Sequence, residues 1–92
     1  MAAWEMEIGG IFRLGDGRTA FAGTGAGWTP WVRLAPCEIL VDGEVVERVV
    51  VSTDLMDPGR EGQWAFSSMD DVKLDEATVL EHDCVLRLAT DE

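Results

Sequence analysis

Cys37-Glu-Ile-Leu-Val41, Asp42-Gly43 and Glu44-Val-Val-Glu-Arg-Val-Val-Val51 form the stretch whose reading decides the fold. Two runs rich in β-branched residues flank an Asp-Gly pair. That pair tolerates the positive φ values of the tight hairpin turn whose twist matches paired strands. The stretch predicts an antiparallel hairpin with strands over 37–41 and 44–51.

Upstream, Trp4, Met6 and Ile8 alternate with Glu5 and Glu7, the period of a half-buried strand. Gly9-Gly10 interrupts the alternation, and Ile11, Phe12 and Leu14 resume it, so the first strand is expected to bend at a bulge. Gly15-Asp16-Gly17 predicts a turn, with Thr19 to Thr24 returning antiparallel around Phe21. Gly23 to Pro36, rich in glycine and carrying Trp28, Pro30 and Trp31, predicts a loop around a short extended piece.

Downstream, residues 52–63 contain Asp57-Pro58-Gly59 and lack periodicity, which predicts a surface loop. Trp64-Ala-Phe-Ser67 restarts a strand. Ser68-Met-Asp-Asp-Val72 offers a serine cap followed by acidic residues and predicts one short helical turn. Val79-Leu80 and Cys84-Val-Leu-Arg-Leu88 predict a final strand pair or one interrupted strand, and 90–92 a frayed end. About six short antiparallel strands, one helical turn and frequent turns predict an all-β fold, a small β-barrel closed against edge aggregation, with a β-sandwich as the alternative.

Ninety-two residues leave room for a single domain, 1–92, with one core. Hydrophobic residues at 47% and charged residues at 27% place it among chains that fold unaided. Eighteen acidic against seven basic side chains give a formal charge of −11, which opposes phosphate backbones and anionic membrane surfaces and favours a basic protein partner. The opening Met1-Ala-Ala-Trp-Glu-Met-Glu-Ile8 lacks the features of a secretory signal, and no apolar run reaches the ~20 residues that span a bilayer. A cytoplasmic protein is expected, with Cys37 and Cys84 as reduced, partly buried thiols.

The order of pieces resembles the β-barrel second domain of translational GTPases such as elongation factor Tu. Ile8-Gly-Gly-Ile-Phe-Arg-Leu14 and Asp16-Gly-Arg-Thr-Ala-Phe-Ala-Gly23 resemble that family's opening strand, its Gly-Arg turn and its second strand ending in glycine. Val32-Arg-Leu34 and Cys37-Glu-Ile-Leu40 are similar to its next strand entry, with Ala35-Pro36 in place of the usual Gly-Asp. Trp64-Ala-Phe-Ser67 with Met69-Asp-Asp-Val72 resembles its penultimate strand and short acidic turn, and Cys84-Val-Leu86 its closing strand. The resemblance implies a free-standing translation-factor-like barrel. The family's barrel docks on a GTPase domain and contacts tRNA or ribosomal RNA. Here no phosphate-binding Gly-x-x-x-x-Gly-Lys-Ser/Thr sequence is present, and the acidity argues against inheriting the RNA contacts.

Candidate chemistry is sparse. His82 could serve Ser52, Ser67, Ser68 or a cysteine in a small hydrolase, yet between Glu81 and Asp83 it reads as a solvated turn residue. Cys37, His82 and Cys84 supply three soft zinc ligands without paired C-x-x-C spacing, so core-filling cysteines are the expectation. The aspartates at 54, 57, 70, 71 and 75 do not follow a calcium-loop pattern and read as loop solubilisers. No catalytic, metal-binding or cofactor-binding residue is therefore assigned. Tryptophan is enriched at binding hot spots. Trp64 is expected in the core, and the loop residues Trp28 and Trp31 are the candidate partner-binding residues. The functional expectation is a non-enzymatic protein-interaction module. The alternatives are an acidic inhibitor or immunity-type protein filling a basic site, and the small hydrolase. An uncovered edge strand would favour a homodimer.

Overall fold

The computed structural model describes residues 4–53 and 61–89. Residues 54–60 of the predicted 52–63 loop, with the aspartates at 54 and 57, and the predicted frayed end at 90–92 lie outside the described residues, while 52–53 and 63 at the loop's ends belong to strands. Among the described residues six antiparallel strands close into a ring in the order β1-β2-β5-β4-β3-β6. They are β1 (Glu5–Arg13), β2 (Thr19–Thr24), β3 (Ala35–Val41), β4 (Glu44–Thr53), β5 (Gln63–Ser68) and β6 (Cys84–Leu88), with one helix, α1 (Glu76–Glu81), before the last strand. The all-β barrel expectation stands, and the sandwich is set aside.

The hairpin forms as its sequence dictates. Asp42 and Gly43 both adopt positive φ, 51° and 85°, which joins β3 to β4 with the handedness the sheet needs. A bulge sits opposite Ile39 and Leu40, which pair with Glu47 and Val45 and leave Val46 without a partner. The Gly9-Gly10 bulge also appears, between Ile8 and Gly10 in the pairing of β1 with β2. It inverts side-chain parity: Met6 and Ile8 point inward before it and Ile11 after it. In a regular strand of the same residues, without the bulge, Ile11 would face water.

The core runs through the barrel and is filled by Met6, Phe21, Ile39, Val51, Phe66 and Leu86, all essentially inaccessible to solvent. Trp4 stacks on Phe66 with ring centroids 4.9 Å apart and planes within 7°, and Trp64 meets both rings edge-on at 5.9 and 6.1 Å. These are the geometries aromatic quadrupoles favour.

Three sequence expectations are corrected. First, Ser68–Val72 is not a helical turn. Ser68 ends β5, its hydroxyl accepts from the Asp70 amide at 3.1 Å, and the chain continues extended so that Val72 and Leu74 alternate into the core. This segment covers the barrel seam. β4 and β5 pair only at Ser52↔Ser67 and Thr53↔Phe66; beyond that, Asp70 accepts from the Val50 amide at 2.7 Å. The Glu47 carboxylate accepts from the amides of Lys73 at 2.7 Å and Leu74 at 3.1 Å. A carboxylate capping two backbone N–H groups meets a donor requirement that the missing ladder leaves open.

Second, Val79-Leu80 belongs to a helix rather than a strand. Asp75 is extended and its carboxylate accepts from the Thr78 amide at 2.9 Å, an N-cap that starts α1. The helix buries Val79 and leaves Leu80 in solvent. Third, β3 begins at Ala35, so Pro36 lies within a strand. One residue from the strand's start, its missing N–H is tolerated, and its carbonyl accepts from the Ala89 amide at 2.9 Å. Val32–Leu34, matched above to a strand entry, is not strand; Leu34 takes a φ of 51°. Among the described residues every strand has two neighbours in the ring, so the uncovered edge that a strand-paired homodimer would need is absent there.

Candidate functional site

The chemistry-bearing residues do not assemble. Cys37 pairs in register with Leu88, and Cys84 with Val41. The two thiols are thus four positions apart along the β3–β6 pair, roughly 13 Å at strand rise. Both are fully buried, where only partial burial was expected. Burial pushes the Cys37 thiol up to about 12. Cys84 is raised as well, by burial first and then by the charges of Asp42 and Asp83, while its Sγ donates to the Thr78 carbonyl at 3.7 Å. Thiolates, the reactive and metal-binding form, are disfavoured at both positions. Accordingly, a disulfide-exchange reagent at pH 8 is expected to label neither cysteine in the folded chain and both in denaturant. Fast labelling of the native protein would contradict the buried placement.

His82 caps the C-terminal end of α1 on the surface, with Nδ1 2.7 Å from Asp42 Oδ2. Among the described residues, no serine hydrogen-bonds to it, and no group of three or more His, Cys, Asp or Glu side chains converges as a metal site. Ser52 and Ser68 instead accept from the Leu34 and Asp70 amides.

Three aspartates are held below the usual carboxylate range, each through bonds to its charged form. The Arg18 amide and side chain act on Asp16, the His82 ring and Asp83 amide on Asp42, and the Thr78 hydroxyl and amide on Asp75. A depressed folded-state pKa contributes stability that is present above the unfolded value and is lost as pH falls through the folded one. Unfolding midpoints are therefore expected to drop below about pH 4. Asp42→Asn and Asp75→Asn should start from lower midpoints and show a shallower acid loss; an unchanged slope would refute the linkage.

The tryptophans do assemble. Trp4 precedes β1, Trp28 and Trp31 lie in the loop between β2 and β3, and Trp64 is on β5, yet all four line one open groove of about 730 Å³ at one end of the barrel. Pro30 and Pro36 complete its apolar wall. Trp64 is buried at 4% exposure and forms the base, whereas Trp28 and Trp31 stand out at 66% and 74%.

The loop that carries them is held from both sides. On the β5 side, the Gly25 amide donates to the Gly62 carbonyl at 3.1 Å, the Gly62 amide to the Gly27 carbonyl at 2.6 Å, and the Thr29 hydroxyl to the Gln63 carbonyl at 3.2 Å. The Trp64 indole N–H donates to the same Gly27 carbonyl at 3.1 Å. On the β4 side, the Thr53 hydroxyl donates to the Pro30 carbonyl at 2.7 Å and accepts from the Val32 amide at 2.8 Å. The Thr53 amide donates to the Val32 carbonyl at 3.0 Å, and Ser52 takes the Leu34 amide. Gly25 lies so close to the Trp64 ring that a Cβ there would fall 2.3–2.5 Å from its atoms. A loop with its backbone bonded in this way displays its side chains in a fixed arrangement.

The sequence placed Trp64 in the core and Trp28 and Trp31 in a loop, as found. It did not bring Trp4 to the same groove, and it gave no part to Pro30 or Pro36. Fold and site together define a small closed β-barrel with a tryptophan-lined groove at one end. The chain matches no protein family, no curated protein and no solved structure at a significant level. Among the described residues no helix is long and apolar enough to cross a membrane.

Proposed function

We propose that this chain is a non-enzymatic protein-interaction module, a free-standing translation-factor-like barrel that receives a protein partner on the tryptophan groove. One observation carries the reading: two large indole rings, Trp28 and Trp31, are mostly solvent-exposed on a loop held at both sides. Indoles left in water forgo burial that the core would otherwise gain, and rigid exposed aromatics are the typical anchors of protein interfaces. The resemblance of 8–14 and 16–23 to the opening strands of the translational-GTPase barrel supports the barrel part of the reading. The charge of −11 argues against that family's RNA contacts.

The test compares the chain with its Trp28→Ala/Trp31→Ala variant as bait in native lysate at low and moderate salt. The double variant keeps its fold, because both rings lie outside the core. Partners retained at moderate salt by the parent and lost by the variant are the expected result. Capture that ignores the two alanines and disappears with salt would point instead to an acidic inhibitor seated in a basic site.

A further inference from the structure

We infer that the occupant of the tryptophan groove is an extended, arginine-bearing segment of a partner protein, its guanidinium planes stacked on Trp28 and Trp31. The inference rests on the groove being the contact face and adds the chemistry of what it receives.

The loop's own bonding limits how a ligand can be read. The amides of Gly25, Val32 and Leu34 are all donated within the protein. These bonds occupy part of the main chain that a peptide would need in order to add as a further strand. Recognition falls to side chains, here rings and prolines. An aromatic wall of that kind suits a chain held in an extended, polyproline-like form, whose side chains project without internal backbone bonds.

Charge then selects the side chains. With a net charge of −11, a second copy of this chain or an anionic ligand is repelled, whereas a cationic segment is drawn in. Three arginines are held in ion pairs on the barrel's surface, which leave the net charge unchanged: Arg18 with Asp16 at 2.7 Å, and Arg48 and Arg87 with Glu38 at 3.7 and 2.8 Å. Glu5 and Glu61, the chain neighbours of Trp4 and Gly62, are exposed. A cation over the face of an indole is attracted by the ring quadrupole, and arginine serves better than lysine because its planar, weakly hydrated group stacks. Among the described lining residues Arg33 is the only charged one, and it opposes such a ligand, so the attraction comes from the charge of the whole chain.

The test titrates the full chain at physiological ionic strength with four capped octapeptides, alternating proline with arginine, lysine, serine or glutamate. All four tryptophans line the groove, so intrinsic fluorescence reports its occupancy, and calorimetry gives the affinity. Arginine–proline is expected to bind best, lysine–proline less well, serine–proline weakly and glutamate–proline not at all. Trp28→Ala/Trp31→Ala should weaken the arginine–proline peptide about tenfold, the expectation for two exposed cation–π partners. Arg33→Ala should tighten it about twofold by removing a like charge. If serine–proline binds as tightly as arginine–proline and both are lost with the tryptophans, the inference falls and the groove stands. If arginine–proline binds the double variant undiminished, both fall. Absence of binding by every peptide, or weaker binding to Arg33→Ala, also overturns the inference.

Discussion

Phe66→Ala is expected to lower the unfolding free energy by about 3–5 kcal/mol, the usual cost of removing a large ring from a packed core. A domain of this size has about 5–15 kcal/mol in total, so the variant should be marginal. Phe66 is fully buried on β5, opposite Phe21 of β2 and Thr53 of β4. Its ring carries Trp4 face to face and meets Trp64 edge-on, so truncation removes the support beneath two groove residues as well as a core side chain. Urea unfolding followed by far-UV circular dichroism measures the loss. Phe12→Ala, at an exposed ring on β1, is the control and should change stability by about 0.5 kcal/mol or less. Similar losses in the two variants would contradict the placement of Phe66.

Gly25→Ala is expected to cost about 2 kcal/mol, within the range for forcing extra volume into a well-packed site. The new methyl group would overlap the Trp64 indole at 2.3–2.5 Å, and that ring, buried and bonded through its N–H to Gly27, has no room to retreat. The loop must lift instead, weakening the Gly25–Gly62 and Trp64–Gly27 bonds and exposing Trp64. A red-shifted emission maximum together with a lower urea midpoint is therefore predicted. Gly15→Ala, where a Cβ would meet nothing within 4 Å, should leave both unchanged. An unshifted spectrum in Gly25→Ala would show that the loop does not rest on Trp64.

What could be read in advance followed the range of the interaction that determines it. The Asp42-Gly43 hairpin and the Gly15–Gly17 turn are specified by two or three adjacent residues, and their strands appear where expected. The Gly9-Gly10 bulge was legible for the same reason. Residues 68–80 were misread because local signals competed. Ser68 with two aspartates has the look of a helix cap, yet the alternation of Val72 and Leu74, together with the Glu47 and Asp70 bonds to β4, favours an extended seam-covering segment. Asp75 with Thr78 carried the true cap seven residues further on. Val79-Leu80, two adjacent apolar residues, fits a strand edge or a helix equally well until the cap is weighed.

The groove was half legible. Loop composition marked Trp28 and Trp31, but the arrival of Trp4 beside Trp64 and Phe66 depends on the ring order β1-β2-β5, which no local pattern encodes. Acidity acts at the level of the whole chain, and the proposed cationic partner rests on it. It said nothing about where on the barrel that partner would sit.

The tryptophan end of the barrel is the proposed contact face. Site-specific photo-crosslinking checks this, with p-benzoylphenylalanine placed at the exposed groove residue Arg33 or, as the comparison, at exposed Leu80 beside the far end of the β3–β6 pair. The prediction is a discrete crosslinked partner from position 33, suppressed by the arginine–proline peptide, and none from position 80. Equal crosslinking from both positions, or from position 80 alone, would contradict it.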